Sequence, residues 1–190
     1  MTKDELRKKL RTARGEHVAA VPETMRGLVF HRPPAPLLEL VPQGAEIGLY
    51  HAAPDEAPTS AYARFFQERG HDLALPYFRA REARMQFRTF RDPHAESDLE
   101  HGPFGPMPPA NDSNDAAPTV LFVPLLGFTE TGARLGQGGG HYDRWFAEHP
   151  ETLKIGMAWD VQKVDHLPLE PHDIPLDAIV TPTRLYGPFR

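Results

Sequence analysis

Between Val123 and Trp145 the sequence reads VPLLGFTETGARLGQGGGHYDRW, and no other stretch so narrows what the chain can fold into. An apolar, β-branched run at 119–124 predicts a strand. It leads to Gly132, Gly136, Gly138, Gly139 and Gly140, and a helix is predicted to begin near His141. Glycine tolerates positive φ and lets successive amides converge on one point, while the helix adds the positive end of its dipole. Such a loop suits an anion, and Arg134 and Arg144 stand beside it to supply charge or a two-pronged guanidinium contact. No Gly-Lys-Ser/Thr follows, and the glycines lack the spacing from the strand of a dinucleotide fingerprint. On these residues alone a phosphate-binding loop and a structural turn both stay open.

The flanking pattern sets the fold class. Residues 2–14 predict a helix with Thr2 as cap, acids in the first turn and a narrow apolar stripe at Leu6 and Leu10, leaving a Lys/Arg face outward. A second helix at 22–30 is expected to stop before Pro33, Pro34 and Pro36. Strands are predicted at 45–51, 73–76, 85–90, 119–124, 153–160 and near 178–182. A helix introduced by Thr59 carries Tyr62, Phe65 and Phe66 and ends at Gly70. Residues 92–118, rich in Pro, Asp, Asn and Gly, read as a long surface excursion. Strand–helix alternation over 190 residues without internal repeats predicts one α/β domain over 1–190. The expected architecture has three layers, with a mostly parallel sheet and helices on both faces.

A formal net charge of −5 spreads no basic field, which argues against nucleic acid or anionic membrane as a partner and in favour of small molecules. No apolar run reaches the length of a membrane span and the first residues are charged, so a cytoplasmic location is expected. The absence of cysteine removes disulfides, thiolate metal sites and a thiol nucleophile, and the 10 histidines form no HExxH pattern.

GARLGQGGGHYDR at 132–144 resembles the signature of the 5-formyltetrahydrofolate cyclo-ligase family, with Arg-Leu-Gly, a glycine run and Tyr-Asp in that order. The resemblance continues in KDELR (3–7), IGLYHAAPDEAPT (47–59), LPYF (75–78) and LPLEPHDIPLDAIVTP (167–182). It implies a three-layer α/β enzyme that converts 5-formyltetrahydrofolate to 5,10-methenyltetrahydrofolate with ATP and Mg²⁺, releasing ADP and phosphate. A monomer or weak homodimer is expected.

By that resemblance Lys3 and Arg7 meet the ATP phosphates; by residue type alone they are a solvated basic face. Arg134, Leu135, Gly136, Gln137, Gly138, Gly139, Gly140, His141 and Tyr142 are expected to wrap the triphosphate, with Asp143 and Asp173 as Mg²⁺ ligands. Otherwise Asp143 is a helix-start charge and Asp173 a turn residue. Glu56, in Glu56-Ala57-Pro58-Thr59, is expected to receive donors from the pterin or orient the formyl group, and is otherwise a surface loop acid. Tyr77, Met85, Phe104 and Tyr142 are candidates for the walls around the folate rings, or are core.

Two positions depart from the family pattern. His141 replaces the first of two aromatics before Asp143, and Pro108 stands where a polar residue is expected. On the fold alone, a sugar-phosphate isomerase or acyl-transfer enzyme, or a non-catalytic folate- or nucleotide-binding protein, are the competing readings.

Overall fold

The computed structural model describes residues 1–189. Helix α1 (Lys3–Ala20) opens on a reciprocal cap: the Thr2 hydroxyl accepts from the Glu5 amide at 3.2 Å, and the Glu5 carboxylate accepts from the Thr2 amide at 2.7 Å. The helix runs past the predicted end at residue 14, through Gly15, because Val18 continues the buried stripe of Leu6, Leu10 and Arg14. Burying that valine is worth about 1.5–3 kcal/mol, against about 1 kcal/mol for an internal glycine. The expected outward basic face is only partly found: Lys8, Lys9 and Arg11 meet water, whereas Lys3, Arg7 and Arg14 turn inward.

Helices α2 (Glu23–Val29) and α3 (Ala35–Leu38) lead to β1 (Ile47–Gly48); α4 (Ser60–Glu68) precedes β2 (Leu73–Tyr77) and β3 (Gln86–Phe90). The stretch read as an unstructured excursion contains a hairpin, β4 (Glu100–Gly102) with β5 (Gly105–Met107), and an edge strand, β6 (Asp115–Ala116). The sequence hides these because they are too short for a period, and side chains rather than pattern pin them: Arg88 reaches Ser113, Asp115 and the Ala110 carbonyl. Then follow β7 (Val120–Pro124), the hairpin β8 (Gly127–Phe128) and β9 (Arg134–Leu135), α5 (His141–Glu148), β10 (Leu153–Met157), β11 (Ala178–Val180) and β12 (Leu185–Tyr186).

The main sheet has eight strands in the order β12-β11-β10-β7-β1-β2-β3-β6. Its centre, β11 through β2, is parallel, and the outer strands β12, β3 and β6 are antiparallel. Strand alternation divides the core into two layers. Leu73, Leu75, Val120, Phe122, Ile155 and Met157 pack with Tyr62 and Phe66 of α4 and Val18 of α1. Ala74, Leu121, Val123 and Ile179 face Trp145 and Phe146 of α5. This is the expected three-layer α/β arrangement. At its centre a Cβ on Gly48 would lie 2.1 Å from Leu121 Cδ2 and 2.9 Å from Pro118 Cγ, so any larger residue would force these buried side chains to move.

From β1 the chain moves to β2 on one side and later to β7 on the other. At such a reversal the connections leave in opposite directions and open a crevice at the carboxyl ends of the strands. Among the described residues no helix is long and apolar enough to cross a membrane.

Candidate functional site

A cavity of about 520 Å³ fills that crevice. It is lined by the glycine-rich loop from Arg134 to Tyr142, by Lys3 and Arg7 of α1, by Phe78, Met85 and Phe104, and by Glu56. Every residue expected at the site lines this cavity except Tyr77 and Arg144, whose Nη2 donates to the Gly139 carbonyl at 2.8 Å. On β2 successive side chains point to opposite faces, so Pro76 and Phe78 reach the cavity while Tyr77 lies beneath Arg88, whose guanidinium carbon sits 5.2 Å from the ring centre. Tyr77, expected as a wall residue, is thus not brought to the cavity, and Phe78 is.

The loop is braced from α1. Arg7 Nε donates to the Gly136 carbonyl at 3.1 Å and Arg11 Nη2 to Gln137 Oε1 at 2.9 Å. These bonds occupy a carbonyl and a side-chain oxygen, leaving the loop amides free to face an anion. Arg134 is buried; its Nη2 donates to Asp143 Oδ1 at 3.0 Å, and its Nε has no partner among the described residues. An unmatched buried donor costs about 1–3 kcal/mol.

Asp143 Oδ1 also accepts the Ile174 amide at 3.2 Å, which ties α5 to the 170–174 turn. In that turn Asp173 Oδ2 accepts Lys3 Nζ and the Glu170 amide, each at 2.7 Å. Burial opposes the charge of Asp173, but Lys3 and the Glu170 amide hold its pKa below the usual value. Burial opposes the charge of Lys3, but the hydrogen bonds it donates to Asp173 and Glu170 raise its pKa. Glu170, His172 and Asp173 each bring one donor atom within 4.8 Å of the others. The oxygen donors of Asp143 and Asp173 suit Mg²⁺, which takes one or two carboxylates plus phosphate oxygens. Glu170 and His172 were not anticipated; their only sequence signal is proximity to Asp173.

Glu56 sits on a loop that is tied on every side. Thr59 Oγ1 donates to the Tyr50 carbonyl at 2.6 Å instead of capping α4, and Tyr50 Oη donates to the Ala57 carbonyl at 2.6 Å. Trp159 Nε1 donates to the Asp55 carbonyl at 3.2 Å, and the Ala53 amide donates to Glu56 Oε2 at 2.9 Å. Burial raises the Glu56 pKa, against the Ala53 amide and Arg14, which lower it. Burial and the Glu56 charge push the Tyr142 phenol up, so it stays a hydrogen-bond donor.

His141 stands with its ring centre 4.9 Å from that of Phe78 and 5.5 Å from that of Phe104. Burial, then Arg144, lowers its pKa, so at neutral pH it is an uncharged ring that takes the place of the expected aromatic. Pro108 is buried and does not line the cavity, so the missing polar residue alters no wall.

The model of the 5-formyltetrahydrofolate cyclo-ligase family matches residues 1–182. The chain is 41% identical over 103 residues to the 5-formyltetrahydrofolate cyclo-ligase of Escherichia coli K12, a stretch covering 51% of this chain and 57% of that protein. The match thus spans little more than half of that relative. Identity to the Mycolicibacterium smegmatis 5-formyltetrahydrofolate cyclo-ligase is 29% over 182 residues, covering 92% of this chain and 93% of the relative. The NMR structure of Aquifex aeolicus 5,10-methenyltetrahydrofolate synthetase is similar with a TM-score of 0.75 and 27% identity, covering 100% of this chain and 94% of that one.

Proposed function

The chain belongs to the 5-formyltetrahydrofolate cyclo-ligase family, and from that premise we propose that it converts 5-formyltetrahydrofolate and ATP to 5,10-methenyltetrahydrofolate, ADP and phosphate. One observation carries this reading: a single cavity is lined by a glycine-rich loop with its cations, by apolar and aromatic side chains, and by the half-buried carboxylate of Glu56. A sugar-phosphate isomerase could use the loop and its cations but would not consume ATP, and a simple phosphate site has no use for the apolar and aromatic lining.

In this reading the amides of 136–140 and the N-terminus of α5 hold the triphosphate, with Lys3, Arg7 and Arg134 neutralising it. Phe78, Met85, Phe104 and His141 hold the folate rings against that end group. Glu56 accepts from pterin N–H groups and turns the N5 formyl oxygen toward the γ-phosphorus. The formyl oxygen attacks phosphorus, ADP leaves, and the formyl carbon becomes an electrophile bearing a phosphate leaving group. N10 then attacks that carbon, closing the ring as phosphate departs and the N10 proton is released to water. Held by Asp143 and Asp173, Mg²⁺ supplies charge neutralisation at the phosphate oxygens.

The test is to mix the protein with 5-formyltetrahydrofolate, ATP and Mg²⁺ and to follow methenyl absorbance with ADP formation. Both should rise together. No chromophore at saturating ligands would reject the reading, and folate binding without turnover would support a non-catalytic binder.

A further inference from the structure

Arg14 takes no part in the cavity wall, yet it joins the helix and the loop that build it. It follows Lys3 and Arg7 on one stripe of α1, since steps of four and seven residues are close to whole helical turns. Its side chain is 4% exposed. Nε and Nη2 meet Asp55 Oδ2 at 3.1 and 3.0 Å, and Nη1 donates to the Leu125 carbonyl at 3.3 Å. Nη1 also stands 4.0 Å from Glu56 Oε1. A guanidinium this deep is weak evidence for stability, because its desolvation offsets most of what the ion pair returns. What it does provide is a fixed fork beneath the Asp55–Glu56 turn.

We propose that Arg14 is a positioning residue that clamps this turn to α1 and thereby sets the orientation of the Glu56 carboxylate at the folate end of the cavity. The inference rests on the folate reading of the site. The surroundings support it. Glu56 is faced by Arg14 from α1, Gln137 from the glycine-rich loop, Asp55 on its own loop, and the phenols of Tyr50 and Tyr142. Arg14 is the only full positive charge in that set. Without it, burial and the Asp55 charge would act on Glu56 with less opposition.

The test uses the full chain with Arg14→Met, Arg14→Lys, Glu56→Gln and the double variant Arg14→Met/Glu56→Gln. Arg14→Met is expected to lower kcat/KM for 5-formyltetrahydrofolate about 10- to 100-fold, as misplacement of a positioned group does, and to leave the KM for ATP unchanged. The acid limb of the pH profile should move upward by about one pH unit. In the Glu56→Gln background the same substitution should cost less than about threefold, because the two residues act as a unit. Carbon-13 titration of the Glu56 carboxyl in the unliganded protein should show the same upward movement. That measurement stands even if wild-type protein forms no methenyl product, which would sink the folate reading instead. An equal fractional loss with and without Glu56, or an unmoved titration, would overturn the proposal. If Arg14→Met does not melt cooperatively, Arg14→Lys decides: a folate kcat/KM reduced at unchanged ATP KM supports it, and wild-type values refute it.

Discussion

Gly138 has φ of +111°, beyond the left-handed helical region that other residues reach at modest cost. A methyl group added there would lie 3.4 Å from Arg7 Cζ, an ordinary contact, so Gly138→Ala introduces strain without a clash. Holding a non-glycine residue in such a conformation costs about 1–3 kcal/mol. The loop is exposed and relaxes without disturbing the sheet, so the strain will be relieved locally and the melting temperature should fall by only a few degrees at most. Binding a triphosphate requires the amides back in their converging arrangement, so the same energy reappears as weaker ATP affinity. At tenfold per 1.4 kcal/mol, this amounts to about 5- to 150-fold. Isothermal titration with ATP and Mg²⁺, beside a thermal melt, reads both quantities. Wild-type ATP affinity in Gly138→Ala, or a large drop in melting temperature with affinity intact, would refute the idea that the loop amides form the phosphate site.

Asp143→Asn keeps the shape and the hydrogen bond from Arg134 but removes ligand charge. Turnover at low Mg²⁺ should fall at least about tenfold while the melt barely moves, and a Mg²⁺ titration of the rate checks this. Glu56→Gln should weaken folate binding and turnover without altering ATP binding, measured by separate titrations of each ligand. Burial raises the Glu56 pKa in the folded protein, so the stability it contributes is present below its unfolded value near 4.5 and is lost as pH rises through the folded value. At neutral pH Glu56→Gln should therefore melt at the same temperature as wild type or higher, as calorimetry would reveal. Phe78→Ala should raise the KM for folate about 2- to 10-fold through lost ring contacts, whereas Tyr77→Phe should leave it unchanged; steady-state kinetics of the two variants compare the faces of β2.

The parallel centre of the fold was legible because β7 and β10 are nearly all apolar and the helices between strands have clear caps or stripes. The hairpin at 100–107 was not, since its register comes from Gly105 and from contacts with distant residues rather than from alternation. In the site, the glycine-rich loop, Lys3 and Arg7 could be found by motif. Arg14 could not, because a basic residue on a helix full of basic residues gives no sign that it points inward. Its one trace is the spacing from Leu10 and Val18, which places it on the apolar stripe. Tyr77 was misjudged for the converse reason: a strand places neighbouring rings on opposite faces, and the proline at 76 obscures which face is which.

The bond from Lys3 to Asp173 spans 170 residues, and that from Arg7 to Gly136 spans 129. A chain emerging from the ribosome thus makes Lys3 and Arg7 long before it makes the residues they bond to. Loop closure over such distances is slow and comes late, so α1 will dock after the sheet has formed. Until then Lys3 and Arg7 hang on a solvated helix with no pocket between them. A partly unfolded chain with α1 undocked therefore lacks the Lys3 and Arg7 side of the cavity, and a ligand that needs those cations would protect only a chain whose first helix is in place.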